Sequence, residues 1–249
     1  MTHLIRNEFA KLKKDRSVAF LLALALLPVL TGTAGAIIGG KSDAADALFF
    51  VNNQFAMFYP MAVFILAGSL LCREWRDKTY LSWVSYGIPK SQLLLSKMAI
   101  CIAISFAMAV TELVFLGALC VFTSPHGLQE GLVTWCSFAP GFIAEALSII
   151  MVCTCAGFLV AIVSRSSVGV SAAGVMYGFA SCLFIGSEWG FLLPGSFAYR
   201  VAMAFLDPAT YYDASLIATA GGIAATVVWC AALFLAALVV FRFKRGIEE

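Results

Sequence analysis

Charged residues are scarce in this sequence. Only 16 Lys and Arg and 14 Asp and Glu occur among its 249 residues, so that 12% of the chain is charged, whereas soluble domains carry about 25%. Hydrophobic residues make up 62% of the chain, against about 45–50% in an ordinary soluble domain. A soluble globule with so few charges would leave too much apolar surface in water. The composition therefore excludes a soluble protein.

The groups on which intramembrane catalysis depends are also missing. The two histidines, His3 and His126, lie outside the long apolar runs, and the sequence contains no His-Glu-x-x-His zinc motif. Its eight cysteines follow no metal-binding spacing. We therefore predict no catalytic residue, no metal site and no disulfide.

Residues 35–42 match the P-loop template only in their letters. A true P-loop follows a strand and opens a helix whose N–H groups hold phosphates. Here the segment ends an apolar run instead. The match is interpreted as a coincidence, and we expect no cofactor to be bound by this chain.

Apolar residues fall into six long runs. Each is near or above the length of about 20 residues that a helix needs to cross the hydrocarbon of a membrane. The runs cover residues 18–40, 48–72, 98–122, 139–163, 168–186 and 217–241. The longest connection, 187–216, is too short for a folded catalytic domain. The sequence predicts an all-α polytopic membrane protein, with six transmembrane helices in a single domain over 1–249.

Basic residues mark one side of the predicted bundle. Fourteen of the 16 Lys and Arg lie in the connections 1–17, 73–97 and 164–167 and in the tail, and only Lys41 and Arg200 lie in the others. Because cytoplasmic loops are enriched in Lys and Arg, we predict a multi-pass protein of the plasma membrane with both termini in the cytoplasm.

Two connections have the pattern of helices that lie along the membrane surface. In segment 1–17, apolar residues recur at helical spacing among basic ones, which predicts a cytoplasmic interfacial helix, with a solvated basic tail as the alternative. Segment 187–216 is rich in aromatic residues. It predicts an outer interfacial or re-entrant helix capped by Ser196 and ended by Asp207-Pro208.

Glu112 and Glu145 are the only charged residues inside the six runs. An ionisable group near the centre of a transmembrane helix costs on the order of 3 kcal/mol on insertion scales. Both are predicted to lie in the outer half of the bilayer. One hypothesis makes them part of a substrate pathway, and the other makes them protonated or hydrogen-bonded groups that join helices.

The most informative connection is 73–97. Glu74 and Lys78 are spaced for an i, i+4 ion pair, and Gly87 to Pro89 break the helix before the third run. A short amphipathic helix in this position suits the inner membrane surface or a groove on a cytoplasmic partner.

This segment resembles the first cytoplasmic loop of the membrane subunits of type-2 ABC exporters. The shared pattern is an acidic residue, a Thr, a Leu-rich turn, a Pro with a basic residue, and a Leu-rich stretch ending in Lys. Its residues here are Glu74, Thr79, Leu81, Pro89, Lys90, Leu93 to Leu95 and Lys97. The length, the six-run layout and the amphipathic start agree with that family, and residues 7–17 resemble its lantibiotic-immunity permease branch.

The resemblance implies a coupling helix that docks on a cytoplasmic ABC ATPase, which would bind and hydrolyse ATP. The docking residues would be Arg73, Glu74, Lys78, Thr79, Trp83 and Lys90. It further implies two ATPase copies, a second permease subunit of the same or a related chain, and outward movement of an amphiphilic substrate such as a peptide antibiotic, drug or lipid-like molecule. Membrane lipids are expected partners, and nucleic acid is not.

Gly174 and Gly178 are spaced i, i+4 in the fifth run. Small residues at this spacing favour close helix packing. We expect this packing at a helix contact that rearranges during transport.

The alternative function is a membrane anchor or sensor that binds a peptide or recruits a partner without transporting anything. Such a protein would not require the pattern in 73–97.

Overall fold

The protein is represented by a computed structural model. The structure describes residue 9 and residues 16–39, 43–76, 89–124 and 127–243. The predicted interfacial helix over 1–17 lies almost entirely outside the described residues.

The described residues form helices joined by short connections and contain no strand. The α-helices are α1 Arg16–Ala25, α2 Leu27–Gly39, α3 Ala44–Arg76, α4 Lys90–Thr123, α5 Leu128–Ser164, α6 Ser167–Phe184, α7 Pro194–Ala204 and α8 Ser215–Phe243. Five of them, α3 to α6 and α8, are long and apolar enough to cross a membrane, and α1 with α2 makes a sixth if this bent pair is one span. The prediction of an all-α polytopic membrane protein is confirmed.

The first apolar run forms two helices that meet at an angle of 41°. The break lies at Leu26, between α1 and α2. Pro28 explains it, because proline has no N–H to donate to the carbonyl of Leu24 and its ring crowds that carbonyl.

Helix α3 lies at the centre of the bundle. In the most apolar stretch of α3, 78% of the residues are buried within the protein. In the corresponding stretch of α8, only 6% are buried. Phe55 and Tyr59 of α3 stack with their ring centroids 4.4 Å apart, and Phe142 of α5 lies 4.6 Å from Phe55. Aromatic rings therefore fill the contact between α3 and α5.

Glycines allow α6 to lie directly against α3. A Cβ atom at Gly174 would lie 2.6 Å from the Cβ of Phe64, and one at Gly178 would overlap the main-chain oxygen of Met57. The predicted pair of small residues thus faces a neighbouring helix of the same chain.

Segment 187–216 packs into the bundle differently from the sequence prediction. Leu193 occupies the cap position of α7 and Pro194 begins the helix, where a missing N–H costs no helical hydrogen bond. The Ser196 hydroxyl instead donates to the carbonyl oxygen of Ser181 in α6, at 2.6 Å. The prediction that Ser196 caps this helix is therefore wrong.

Helix α7 also ends earlier than predicted, at Ala204. Asp207 accepts a hydrogen bond from the Ala209 N–H at 2.9 Å and begins the separate 3₁₀ turn Pro208–Thr210. Main-chain atoms of Ala202 would lie 2.9 Å from a Cβ at Gly141 of α5. The segment is thus held closely against a spanning helix.

We expect Gly178→Ala to destabilise the protein by about 1–3 kcal/mol, because its added methyl group would push α6 away from the Met57 carbonyl. Gly35→Ala is the matched control, since a Cβ at Gly35 meets nothing within 4 Å. The midpoint of thermal unfolding in detergent measures both. Equal midpoints for the two variants would contradict the packing argument.

Candidate functional site

Five buried residues of α3, α4 and α5 form a polar cluster within the apolar core. We call Asn52, Tyr59, Ser105, Glu112 and Glu145 the core polar cluster, and each is 0% exposed. Burial of so many polar groups in an apolar surrounding is costly unless they are hydrogen-bonded. The cluster is therefore a candidate functional site.

Two hydrogen bonds connect the three helices of this cluster. The Asn52 Nδ2 group of α3 donates to Glu145 Oε2 of α5 at 2.9 Å. The Tyr59 hydroxyl of α3 donates to the carbonyl oxygen of Ser105 in α4 at 2.6 Å. Both bonds join α3 to a neighbour, so the cluster contributes to helix assembly.

Several polar atoms of the cluster have no hydrogen-bond partner among the described residues. They are Asn52 Oδ1, Ser105 Oγ, both carboxyl oxygens of Glu112 and Oε1 of Glu145. Most buried polar atoms in proteins have a partner. The two carboxyl groups also lie near enough to interact electrostatically. Together they can accept hydrogen bonds from a cationic or hydroxyl-bearing group that enters between the helices.

Sequence reasoning identified Glu112 and Glu145 but not their neighbours. The structure brings the two glutamates together and encloses both. It adds Asn52, whose signal was a pair of Asn residues within an apolar run. Tyr59 and Ser105 carried no comparable signal, because Tyr and Ser are common in transmembrane helices.

An apolar groove of about 1080 Å³ lies nearby, between α2, α4 and α5. Ile37, Val114 and Trp135 are among its lining residues, and the two glutamates are not. The Trp135 Nε1–H donates to the carbonyl oxygen of Leu113 at 2.9 Å. The groove and the core polar cluster therefore share no lining residue.

A buried ion pair lies at the opposite end of α4. Lys97 Nζ is 3.0 Å from Glu74 Oε1, and the side chains are 1% and 7% exposed. Glu74 belongs to the last turns of α3 and Lys97 to the first turns of α4. The pair therefore fixes the two helix ends between which the predicted coupling segment runs.

The predicted docking residues are only partly described. Arg73 is exposed near the end of α3, and Lys90 is half-buried at the start of α4. Lys78, Thr79 and Trp83 lie outside the described residues. The predicted partner of Glu74 was Lys78. The role of Lys97 as a partner was missed because 23 residues separate it from Glu74.

Residues 4–181 match the model of the ABC-2 family transporter proteins. The chain belongs to this family. It is a transmembrane subunit of an ABC transporter and a multi-pass membrane protein, and it works with an ABC ATPase subunit. ATP hydrolysis in this family typically occurs on that separate subunit. No curated protein matched the chain.

The family assignment agrees with the prediction from segment 73–97, and the lantibiotic-immunity branch stays a prediction. The matched region includes the core polar cluster and the Glu74–Lys97 pair, and it ends within α6. Helices α7 and α8 lie beyond it.

Glu74→Gln would remove the carboxylate that faces the buried Lys97 ammonium group. We expect a loss of about 3–5 kcal/mol, since removing one member of a buried ion pair costs this much. The double variant Glu74→Met with Lys97→Met removes both charges and is expected to recover most of the stability. Thermal unfolding in detergent measures both, and a Glu74→Gln variant as stable as the wild type would refute the role of the pair.

Proposed function

We propose that this ABC transporter subunit exports an amphiphilic molecule that carries a cationic group. The observation that carries the proposal is the core polar cluster, in which carboxyl oxygens of Glu112 and Glu145 have no partner among the described residues. Cationic groups that cross an apolar bundle require such acceptors, because hydrocarbon offers none.

The orientation of the bundle follows from its charges. The end that carries Arg73, Arg76 and Lys90 faces the cytoplasm by the positive-inside rule. Both termini are then cytoplasmic, and α7 with its flanking turns faces outward. This orientation places the coupling segment where an ATPase can reach it.

Coupling to ATP hydrolysis runs through segment 73–97. In the proposal, Arg73, Lys78, Thr79, Trp83 and Lys90 dock on the ATPase. The buried pair of Glu74 and Lys97 holds the segment to α3 and α4. A movement of the segment is thus passed to both helices.

Helix α4 connects the docking end with the core polar cluster. Glu112 follows Lys97 by 15 residues in the same helix, which is about 22 Å along its axis. A shift of α4 at its docking end therefore changes the position of Glu112 against α3 and α5. ATP bound by the partner subunit would drive this shift between two states of the bundle.

The assembly would contain two ATPase copies and a second permease, either this chain or a related one. Gly174 and Gly178 bring α6 close against α3, and this contact would rearrange between the two states of the bundle. Peptide antibiotics of the lantibiotic kind fit the proposed substrate class, which would make the transporter a source of self-immunity or of resistance to antimicrobial peptides.

Replacing both carboxyl groups by amides tests the substrate pathway. We expect Glu112→Gln with Glu145→Gln to reduce efflux of a cationic amphiphilic peptide at least tenfold, because the carboxyl groups that would bind its positive charge are lost. The amide at position 145 can still accept from Asn52, so thermal stability should not fall. Unchanged efflux from normally produced protein would assign the glutamates to helix assembly alone.

Co-purification of an ABC ATPase tests the docking segment. It also distinguishes the proposed transporter from the alternative of a membrane anchor. We expect the wild-type chain to retain an ABC ATPase during purification in detergent, and Lys90→Glu to lose most of it through charge reversal. Arg242→Glu, at the same end of the bundle but in α8, is the control and should retain it. Equal retention by both variants would place docking elsewhere.

A further inference from the structure

A small pocket lies at the end of the bundle opposite the Glu74–Lys97 pair. It has a volume of about 380 Å³ and lies between the 3₁₀ helix Glu188–Leu192, α7 and the start of α8. The residues that give it its chemistry are Glu188, Phe191, Arg200, Tyr211, Tyr212 and Asp213. We call it the end pocket.

Arg200 supplies a fixed positive charge to the end pocket. Its Nε group donates to the carbonyl oxygen of Ile185 at 2.7 Å, and the guanidinium carbon lies 4.2 Å from the centroid of the Tyr212 ring. Within the described part of the chain, no carboxylate forms a salt bridge with Arg200. Its remaining N–H groups are thus held in place to bind an anion, for which a guanidinium is well suited.

Tyr212 supplies a buried hydroxyl beside this charge. The residue is only 6% exposed, and the hydroxyl has no hydrogen-bond partner among the residues that the structure describes. Burial raises the pKa of Tyr212 to about 12, although the nearby Arg200 guanidinium acts in the opposite direction. The hydroxyl therefore stays protonated at neutral pH and can donate to an anion next to Arg200.

Two exposed carboxylates complete the pocket. Glu188 and Asp213 both line it, and neither forms a salt bridge with a described basic residue. The pocket thus presents an anion-binding side and a cation-binding side within one small volume. A ligand that satisfies both must carry a negative and a positive group a short distance apart.

The end pocket opens next to an apolar surface. Ile217 lines the pocket and is 66% exposed, and Val228, eleven residues further along the same face of α8, is also exposed. Most of α8 lies uncovered by the rest of the chain. Since α8 enters the apolar span at this point, the surroundings are those of a membrane lipid at the level of its head group.

We propose that the end pocket binds the head group of a zwitterionic phospholipid such as phosphatidylethanolamine. The phosphate is held by Arg200 and the Tyr212 hydroxyl, and the amine by Glu188 and Asp213. The acyl chains then lie along the exposed face of α8. The lipid would fasten the outer segment to the membrane at the start of the last span.

Native mass spectrometry of the full-length chain in detergent tests this proposal, with added phosphatidylethanolamine or phosphatidylglycerol as the probe. Phosphatidylglycerol has the phosphate but no amine, so the wild type is expected to bind phosphatidylethanolamine more tightly. Tyr212→Phe removes a hydroxyl without a described protein partner and should weaken the binding of both lipids about tenfold. Glu188→Gln with Asp213→Asn should abolish the preference for phosphatidylethanolamine.

Asp46→Asn is the control, because Asp46 is an exposed acid at the same end of the bundle and outside the pocket. It should bind both lipids like the wild type. Equal binding of the two lipids by the wild type, or wild-type binding by the pocket variants, would overturn the proposal. Displacement of the lipid by an equal concentration of free phosphoethanolamine would overturn the assignment to a lipid. Lipid binding is the readout, so the outcome is independent of transport.

Discussion

The rest of this structure depends on how polar groups inside an apolar bundle find hydrogen-bond or ion-pair partners. Hydrocarbon offers no hydrogen-bond donor or acceptor, so each buried polar group needs a partner from the chain or a ligand. Glu74 meets this requirement with Lys97, and Glu145 meets it in part with Asn52. Glu112 does not meet it among the described residues, which makes the centre of the bundle the candidate binding site.

Helix α4 joins these two regions. It carries Lys97 of the ion pair near one end and Glu112 of the core polar cluster further along. The helix contacts α3 at both places, through the ion pair and through the bond from Tyr59 to Ser105. A displacement at the Lys97 end of α4 would therefore be resisted at defined points, and it would reach the buried carboxyl groups through a rigid element.

The remaining helices differ in how firmly they are held. Glycines bring α6 close against α3, where Tyr177 also packs on Phe64, and α7 is fixed by the bond from Ser196 to Ser181. Most of α8 remains uncovered. In a membrane that surface contacts lipid or a second subunit, and the end pocket lies where it begins.

The sequence alone determined the fold class and the family, because long apolar runs, the exclusion of charge from them and the pattern of 73–97 are local properties of the chain. It also found Glu112 and Glu145, since an acid in an apolar run is conspicuous. Only the tertiary structure decided their partners. Asn52 with Glu145 and Glu74 with Lys97 are separated by 93 and 23 residues, and Ser196 contacts another helix instead of capping its own. Periodicity reports which face of a helix is apolar, whereas packing decides which polar groups meet.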